Sequence, residues 1–344
     1  FGPILGVQGK KQEPQTSAVA GDIVAVAKLK ETTTGDSLSS DGDVNFEPLP
    51  PVNPIVTFAI KAKAKGDEEK MIEGLNRLTE EDPSLVIGLD EQTRDILLSG
   101  MGQVHVEVVR ARLRRKFNVE VELALPKVPY RETIKRKVTG VEGKHKKQSG
   151  GRGQFGVCYI DMEPLPRGEM YEFEDAIFGG SIPRQFIPAV DKGIQEAMVK
   201  GPMTGCPVVD IKVRLFDGKY HNVDSSEMAF KIAGSQAFKE AFAKAGPTLL
   251  EPVMNLEIIV PDECMGDVMG DITSRRGKVQ GMAAKGRFQE IRAQAPMAEV
   301  LQYAPDLNSM TSGRGSFTME LSHYEEVPGS LAEKVMADRA EAEG

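Results

Sequence analysis

The feature that most constrains this 344-residue chain is one order of secondary-structure elements that occurs twice. Ile55–Ala62 alternates as a strand, and Met71, Leu75 and Leu78 then recur at i, i+4 and i+7, the stripe of an amphipathic helix. Strands at Leu85–Asp90 and Arg94–Leu98 follow. A helix with Val106, Val109, Leu113 and Phe117 on one face and a strand at Val119–Leu123 close the unit. The order β-α-β-β-α-β predicts a ferredoxin-like split arrangement. It returns near the C-terminus: strand Met254–Val260, a helix striped by Met265, Val268, Met269 and Ile272, strands Lys278–Ala283 and Arg287–Ala293, a helix opening at Pro296, and strand Ser316–Ser322. A methionine-rich stripe of this kind is adaptable core filler.

Between the two copies lies a third unit with long strands (Tyr130–Thr139, Phe155–Met162, Tyr171–Ala176) and a helix striped by Ile187, Val190, Ile194 and Met198. The apolar strand Val208–Phe216 comes next, then a helix from Ser225 to about Lys244. Asp224 and Glu227 have the spacing of a capping box, with Asp in place of Ser or Thr, and Gly246-Pro247 ends the helix. Upstream, residues 1–47 read as strand fragments, clearest at Gly21–Ala27, too little to bury a core. A polar, Gly-containing loop (31–43) and the prolines Pro48, Pro50, Pro51 and Pro54 form a stiff connector. Together these predict an α+β, multidomain chain, since 37.4 kDa is too much for one small core.

Composition removes several function classes. No apolar run reaches the roughly 18 residues of a membrane span. Cys158, Cys206 and Cys264 lie far apart without CxxC spacing, which argues for buried thiols in a reducing cytoplasm and against a disulfide framework or zinc site. The four histidines are equally scattered. The formal net charge of −8 hides local basic runs. Between Arg131 and Arg152 stand eight basic residues against two acidic ones, and Arg110, Arg112, Arg114, Arg115 and Lys116 cluster on the second helix of the first repeat. Such patches can seat phosphates on an acidic body, or can be ordinary solvated charge.

Gly151-Arg152-Gly153-Gln154-Phe155-Gly156 is a literal GxGxxG. A dinucleotide site needs that motif to open a helix, and here Val157–Asp161 reads as a strand, so that reading fails. What the stretch from Lys144 to Gly156 offers is an exposed loop with four basic side chains, Lys144, Lys146, Lys147 and Arg152, and glycines that let backbone N–H groups approach a phosphate. The segment Asp217–Asp224 is a second loop, in which Tyr220 and His221 could stack on bases and Asn222 could read a base edge or 2′-hydroxyl. On composition alone a loop histidine is equally at home in water. No GxxxxGK[ST], nucleophile elbow or HExxH occurs, and catalysis by this chain has no support in its sequence.

SGGRGQFG (149–156), IPAVDKGIQEAM (187–198), YHNVDSSEMAFKIA (220–233), LLEPVMNLEI (249–258), GDITSRRGKVQG (270–281) and TSGRGSFTMELSHYEEVP (311–328) resemble the C-terminal domains of elongation factor G, in the same order and spacing from about residue 1 to 340. The resemblance implies the end of a domain II β-barrel at 1–47 and a ferredoxin-like domain III at 52–126. It implies a domain IV at 127–248 that resembles part of a small-subunit ribosomal protein, with a left-handed βαβ crossover. A ferredoxin-like domain V at 249–327 and a C-terminal helix at 328–344 complete the set. It further implies a domain IV tip that enters the decoding site. Ser149, Gly150, Gly151, Arg152, Gly153, Gln154, His221 and Asn222 fall on the tip positions that approach mRNA and tRNA in such proteins.

From that resemblance Asp224 and Glu227 are expected to support the tip, and Lys144, Lys146, Lys147, Arg275 and Arg276 to form basic RNA patches. No metal site and no cofactor are expected here. GTP and Mg would be bound by an N-terminal domain of the parent, which would be the GTPase. The expected partner is the ribosome, with its RNA and the tRNA–mRNA pair, for a cytoplasmic monomer with no membrane contact. The expected function is promotion of tRNA–mRNA translocation. The run GKHKKQ (143–148) is more basic than the housekeeping factor leads one to expect, which keeps open a paralogue acting in ribosome recycling or protection. A phosphate-handling enzyme using the glycine loop and a protein-interaction module are the competing classes.

Overall fold

In the computed structural model the described residues are 2–39, 42, 44–47, 54–148 and 153–343. The prolines Pro48, Pro50 and Pro51 of the expected connector lie outside them. The chain divides into two compact units, residues 1–54, 60–88 and 97–123 in one and 55–59, 89–96 and 124–344 in the other. In the N-terminal stretch, β1 (Ile4–Gln8), β2 (Lys11–Gln15) and β3 (Val24–Val26) form an antiparallel sheet in the order β2-β1-β3. Its side chains are exposed or half-buried throughout, as expected of a sheet without a core of its own.

The first repeat folds as β4 (Val56–Ala62), α1 (Glu68–Glu81), β5 (Val86–Leu89), β6 (Ile96–Gly100), α2 (Gln103–Arg112) and β7 (Val121–Ala124). The sheet order β5-β6-β4-β7 is that of a ferredoxin-like module. Met71, Leu75, Leu78, Val106, Val109 and Leu113 are all buried, so both stripes are core. β6 starts two residues later than the expected Arg94. Asp90 Oδ1 accepts the N–H groups of Gln92 and Thr93, and Arg94 adopts a left-handed φ of 60°, so the turn consumes the residues in between. After Arg112 the helix widens into a π turn, Leu113–Phe117, ended by Asn118 at φ 55°.

The middle unit comprises β8 (Arg131–Ile134), β9 (Val138–Lys147), β10 (Gln154–Pro164), β11 (Tyr171–Asp175), α3 (Ile187–Val199), β12 (Ile211–Lys219) and α4 (Glu227–Lys244). The expected single strand Tyr130–Thr139 is two strands. β8 leaves the middle sheet to pair with a later strand, and Lys135 and Arg136 donate instead to the carbonyls of Ala245 and Gly246. The sheet order is β11-β12-β10-β9, antiparallel except for the parallel pair β11–β12, which α3 connects. Phe230, Phe238 and Phe242 of α4, Val190 and Ile194 of α3, and Ile160, Val213 and Leu215 of the sheet share one core. Fully burying each such aromatic or aliphatic side chain is worth about 1.5–3 kcal/mol. At the end of α4, Gly246 takes the left-handed φ of 70° that closes a helix C-terminus.

The last unit is β13 (Pro247–Pro261), α5 (Met265–Ser274), β14 (Lys278–Lys285), β15 (Phe288–Pro296), α6 (Met297–Val300), α7 (Tyr303–Met310), β16 (Ser316–Glu326) and α8 (Gly329–Glu343). Its order β14-β15-β13-β16 repeats the ferredoxin-like pattern. The expected single helix from Pro296 is two short ones, with Pro296 as the residue before the first. β13 begins at Pro247 and runs unbroken for 15 residues, its first four paired with β8. No flexible linker separates the middle and last units; a shared strand joins them. All three cysteines are buried.

α3 and α4 cross at two glycines. A Cβ on Gly193 would lie 2.0 Å from the carbonyl oxygen of Lys231, and one on Gly234 would lie 2.5 Å from that of Val190. Gly193→Ala must therefore push the helices apart. We expect urea unfolding to show a loss of about 1–3 kcal/mol, the usual cost of overpacking.

Candidate nucleic-acid interface

The two loops singled out by sequence lie at one end of the middle sheet. β9 and β10 form a hairpin in which Gln154 pairs with Lys147, and β12 runs antiparallel beside β10 with Lys219 opposite Val157. The loop after β12 therefore emerges beside the start of β10. Ser149, Gly150, Gly151 and Arg152 lie outside the described residues, so the structure speaks for Gly153, Gln154, His221 and Asn222.

Asp224 fastens the two loops together. Its Oδ1 accepts the N–H of Gly153 at 3.0 Å, and its carbonyl accepts the N–H of Phe155 at 2.9 Å. Ser225 adds a second tie, its hydroxyl donating to the carbonyl of Phe155 at 2.8 Å and accepting the N–H of His221 at 2.9 Å. The rings of Phe155 and His221 meet edge to face at 6.5 Å. This corrects the reading of Asp224 and Glu227 as a capping box. Ser226 is the cap, its hydroxyl accepting the N–H of Ala229, and Glu227 is the first helical residue, too early to reach back. Its charge still complements the helix N-terminus. Asp224 is free to reach across because Ser226 takes its place.

Nδ1 of His221 lies 3.3 and 3.2 Å from the N–H groups of Val223 and Asp224. Nε2 has no partner among the described residues, and the side chain is 56% exposed. The same Nδ1 is 3.3 Å from Oδ2 of Asp224. Across the hairpin, His145 Nε2 and Gln154 Oε1 are 2.8 Å apart. That bond holds the amide carbonyl of Gln154 and leaves its NH₂ to donate outward. Asn222 is exposed, and Tyr220 is 45% exposed.

Lys144, Lys146 and Lys147 are exposed on β9, the edge strand, and make no ion pair among the described residues. Lysines on an edge also deter strand addition, so their position has two uses. Arg275 and Arg276 are a different case. Arg275 binds Asp271 at 2.7 Å, Asp306 at 2.6 Å and the carbonyl of Glu299 at 2.9 Å. Arg276 grips Glu251 with two bonds of 2.9 and 2.6 Å and reaches Glu299 at 3.1 Å. Burial of Glu251 pushes its carboxyl above the usual range, although Arg276 opposes the shift. A buried carboxylate of this kind requires its cation. The expectation of a free basic patch at Arg275 and Arg276 is thereby corrected.

Sequence reasoning missed His145, Ser225 and Ser226. Their signals were present: the hairpin register places His145 and Gln154 on one face, two residues apart across the pair, and Ser226 precedes the buried run of α4. No group of three or more His, Cys, Asp or Glu among the described residues could hold a metal, and no helix among them is long and apolar enough to cross a membrane.

Two ferredoxin-like modules, before and after a mixed sheet whose end carries unpaired lysines, define a multidomain α+β protein. Family comparison gives the same order: residues 51–125 match elongation factor G domain III, 126–246 match elongation factor G domain IV, and 248–335 match the elongation factor G C-terminus. The chain belongs to the elongation factor G family. It is also similar to a crystal structure of a protein from Thermus thermophilus, at 41% identity and a TM-score of 0.83. That similarity covers 98% of this chain and 51% of the other, so the chain spans about half the length of the solved structure it matches.

Asp224→Ala should loosen the tip without unfolding the unit. A charge-assisted hydrogen bond contributes about 1.5–3 kcal/mol. Amide exchange at Gly153 should therefore rise roughly 10- to 100-fold, while exchange in the middle of α4 stays as in the wild type.

Proposed function

We propose that this chain is the ribosome-engaging part of a translational GTPase, and that its middle unit acts as a wedge promoting tRNA–mRNA translocation. The observation that carries this reading is the fastening by Asp224 of the start of β10, which bears Gln154, to the segment that bears His221, at one end of the middle sheet. The amide of Gln154 can donate, and the Nε2 of His221 is exposed. They suit 2′-hydroxyls, phosphate oxygens and base edges without demanding one sequence. A wedge that blocks return of the tRNA needs contacts of that tolerant kind, because it must serve every codon. The unpaired lysines of β9 supply attraction to phosphate that falls with salt.

On this reading the chain performs no catalysis of its own. GTP and Mg are handled by a part of the parent that carries a P-loop, a pattern this sequence lacks. The working form is a cytoplasmic monomer. The basic run Lys144–Gln148 favours a second reading, in which a paralogue uses the same tip to split or protect ribosomes.

His221→Ala in the full-length parent should slow single-turnover translocation by roughly three- to tenfold, the worth of one neutral hydrogen bond. Single-turnover GTP hydrolysis should stay within twofold. Equal loss in both would count against a wedge. A parent that separates ribosomal subunits but moves no tRNA would establish the second reading.

A further inference from the structure

The smaller unit carries a basic groove that the tip does not account for. It is open, about 710 Å³, and is lined by Lys63 after β4, Arg110 on α2, Arg114 and Arg115 on the π turn, and Asn118, with Glu107 and Glu120 among its walls. Arg114 is 3.3 Å from Glu120 and is held by it. Lys63, Arg110 and Arg115 are exposed and have no side-chain partner among the described residues. By contrast, Arg112 and Lys116 on the same stretch turn to Glu81, at 3.8 and 2.7 Å. The basic run is therefore sorted by the fold: two members close onto α1, and the others open onto the groove.

The sorting has a backbone cause. In an uninterrupted α-helix, residues five apart lie about 140° around the axis from each other, given 3.6 residues per turn. Here Leu113–Phe117 is a π turn, and the Asn118 N–H is shared between the Arg114 carbonyl at 3.2 Å and the Leu113 carbonyl, the i→i+5 acceptor of a widened turn. The widening brings Arg115 back toward the side of Arg110, and both line the groove. Left-handed Asn118 then ends the turn, so the arrangement is built into the chain path. Planar guanidiniums converging on open space, with a lysine opposite, match the oxygens of phosphodiesters.

We propose that this groove binds the phosphate backbone of folded RNA, as a second anchoring site independent of the tip. Arg110, Arg115 and Lys63 each take a phosphate oxygen, and Glu120 holds Arg114 in line beside them. The groove reads no base.

The test is a titration of the full chain with a fluorescein-labelled 20-base-pair RNA duplex at 50–200 mM KCl. Each lost phosphate contact lowers the slope of log K against log salt by about 0.7–0.9. Arg110→Gln/Arg115→Gln should therefore flatten it by about 1.4–1.8, and Lys63→Gln, on a different element, by about half as much. Arg110→Lys/Arg115→Lys should keep the slope while weakening affinity, because charge is kept and the fork is lost. The salt slope on a free duplex is a readout that the translocation assay does not use, so this test and the translocation test fail separately. An unchanged slope in the glutamine variants, or no binding of the duplex by the wild type at 50 mM KCl, would overturn the proposal. Variants that lose a poly-glutamate peptide but keep the RNA duplex would overturn it in favour of an acidic protein partner.

Discussion

Helix α4 is the element on which the rest of the middle unit depends. Its 18 residues give it a length of about 27 Å, and Phe230, Phe238 and Phe242 bury one side of it in the core. At its start stand Asp224, Ser225 and Ser226, which between them tie both tip loops and cap the helix. At its end, Ala245 and Gly246 accept from Lys135 and Arg136 before the chain enters β13. The tip and the last unit are thus connected through one buried helix and one continuous strand. Displacement at the start of α4 cannot be absorbed by a loose linker there.

Electrostatics divides the molecule by use. The chain as a whole is acidic, and many of its cations are held by carboxylates, as Arg275 and Arg276 are in the last unit. Those pairs organise packing. Cations without an ion pair among the described residues include those on the β9 edge and in the groove beside the π turn. An acidic body with two local basic surfaces keeps non-specific attraction to nucleic acid low while leaving phosphate contacts where shape permits them.

Much of the fold was legible because burial imposes period. Met71, Leu75 and Leu78, and likewise Ile187, Val190, Ile194 and Met198, recur at helical spacing since one face of each helix must leave water, and all of them are buried. Failures came where two local solutions were chemically equal. Asp224 and Ser226 can each cap a helix, and only the approach of Gly153 decides between them. Tyr130–Thr139 reads as one strand by composition, yet its first half finds a better partner in β13. Arg275 and Arg276 look free in sequence because the carboxylates that hold them, Glu251 and Asp306 among them, lie 25 and 31 positions away.

By itself the sequence determined the two βαββαβ repeats, the burial of the cysteines, the exclusion of a dinucleotide loop and the membership of the elongation factor G family. Each of these follows from local pattern, which period and motif record directly. Tertiary structure alone decided which loops meet, which arginines remain unpaired, and which residue caps α4. Those outcomes depend on groups far apart in the chain competing for the same hydrogen bonds, and no local pattern encodes the result of that competition.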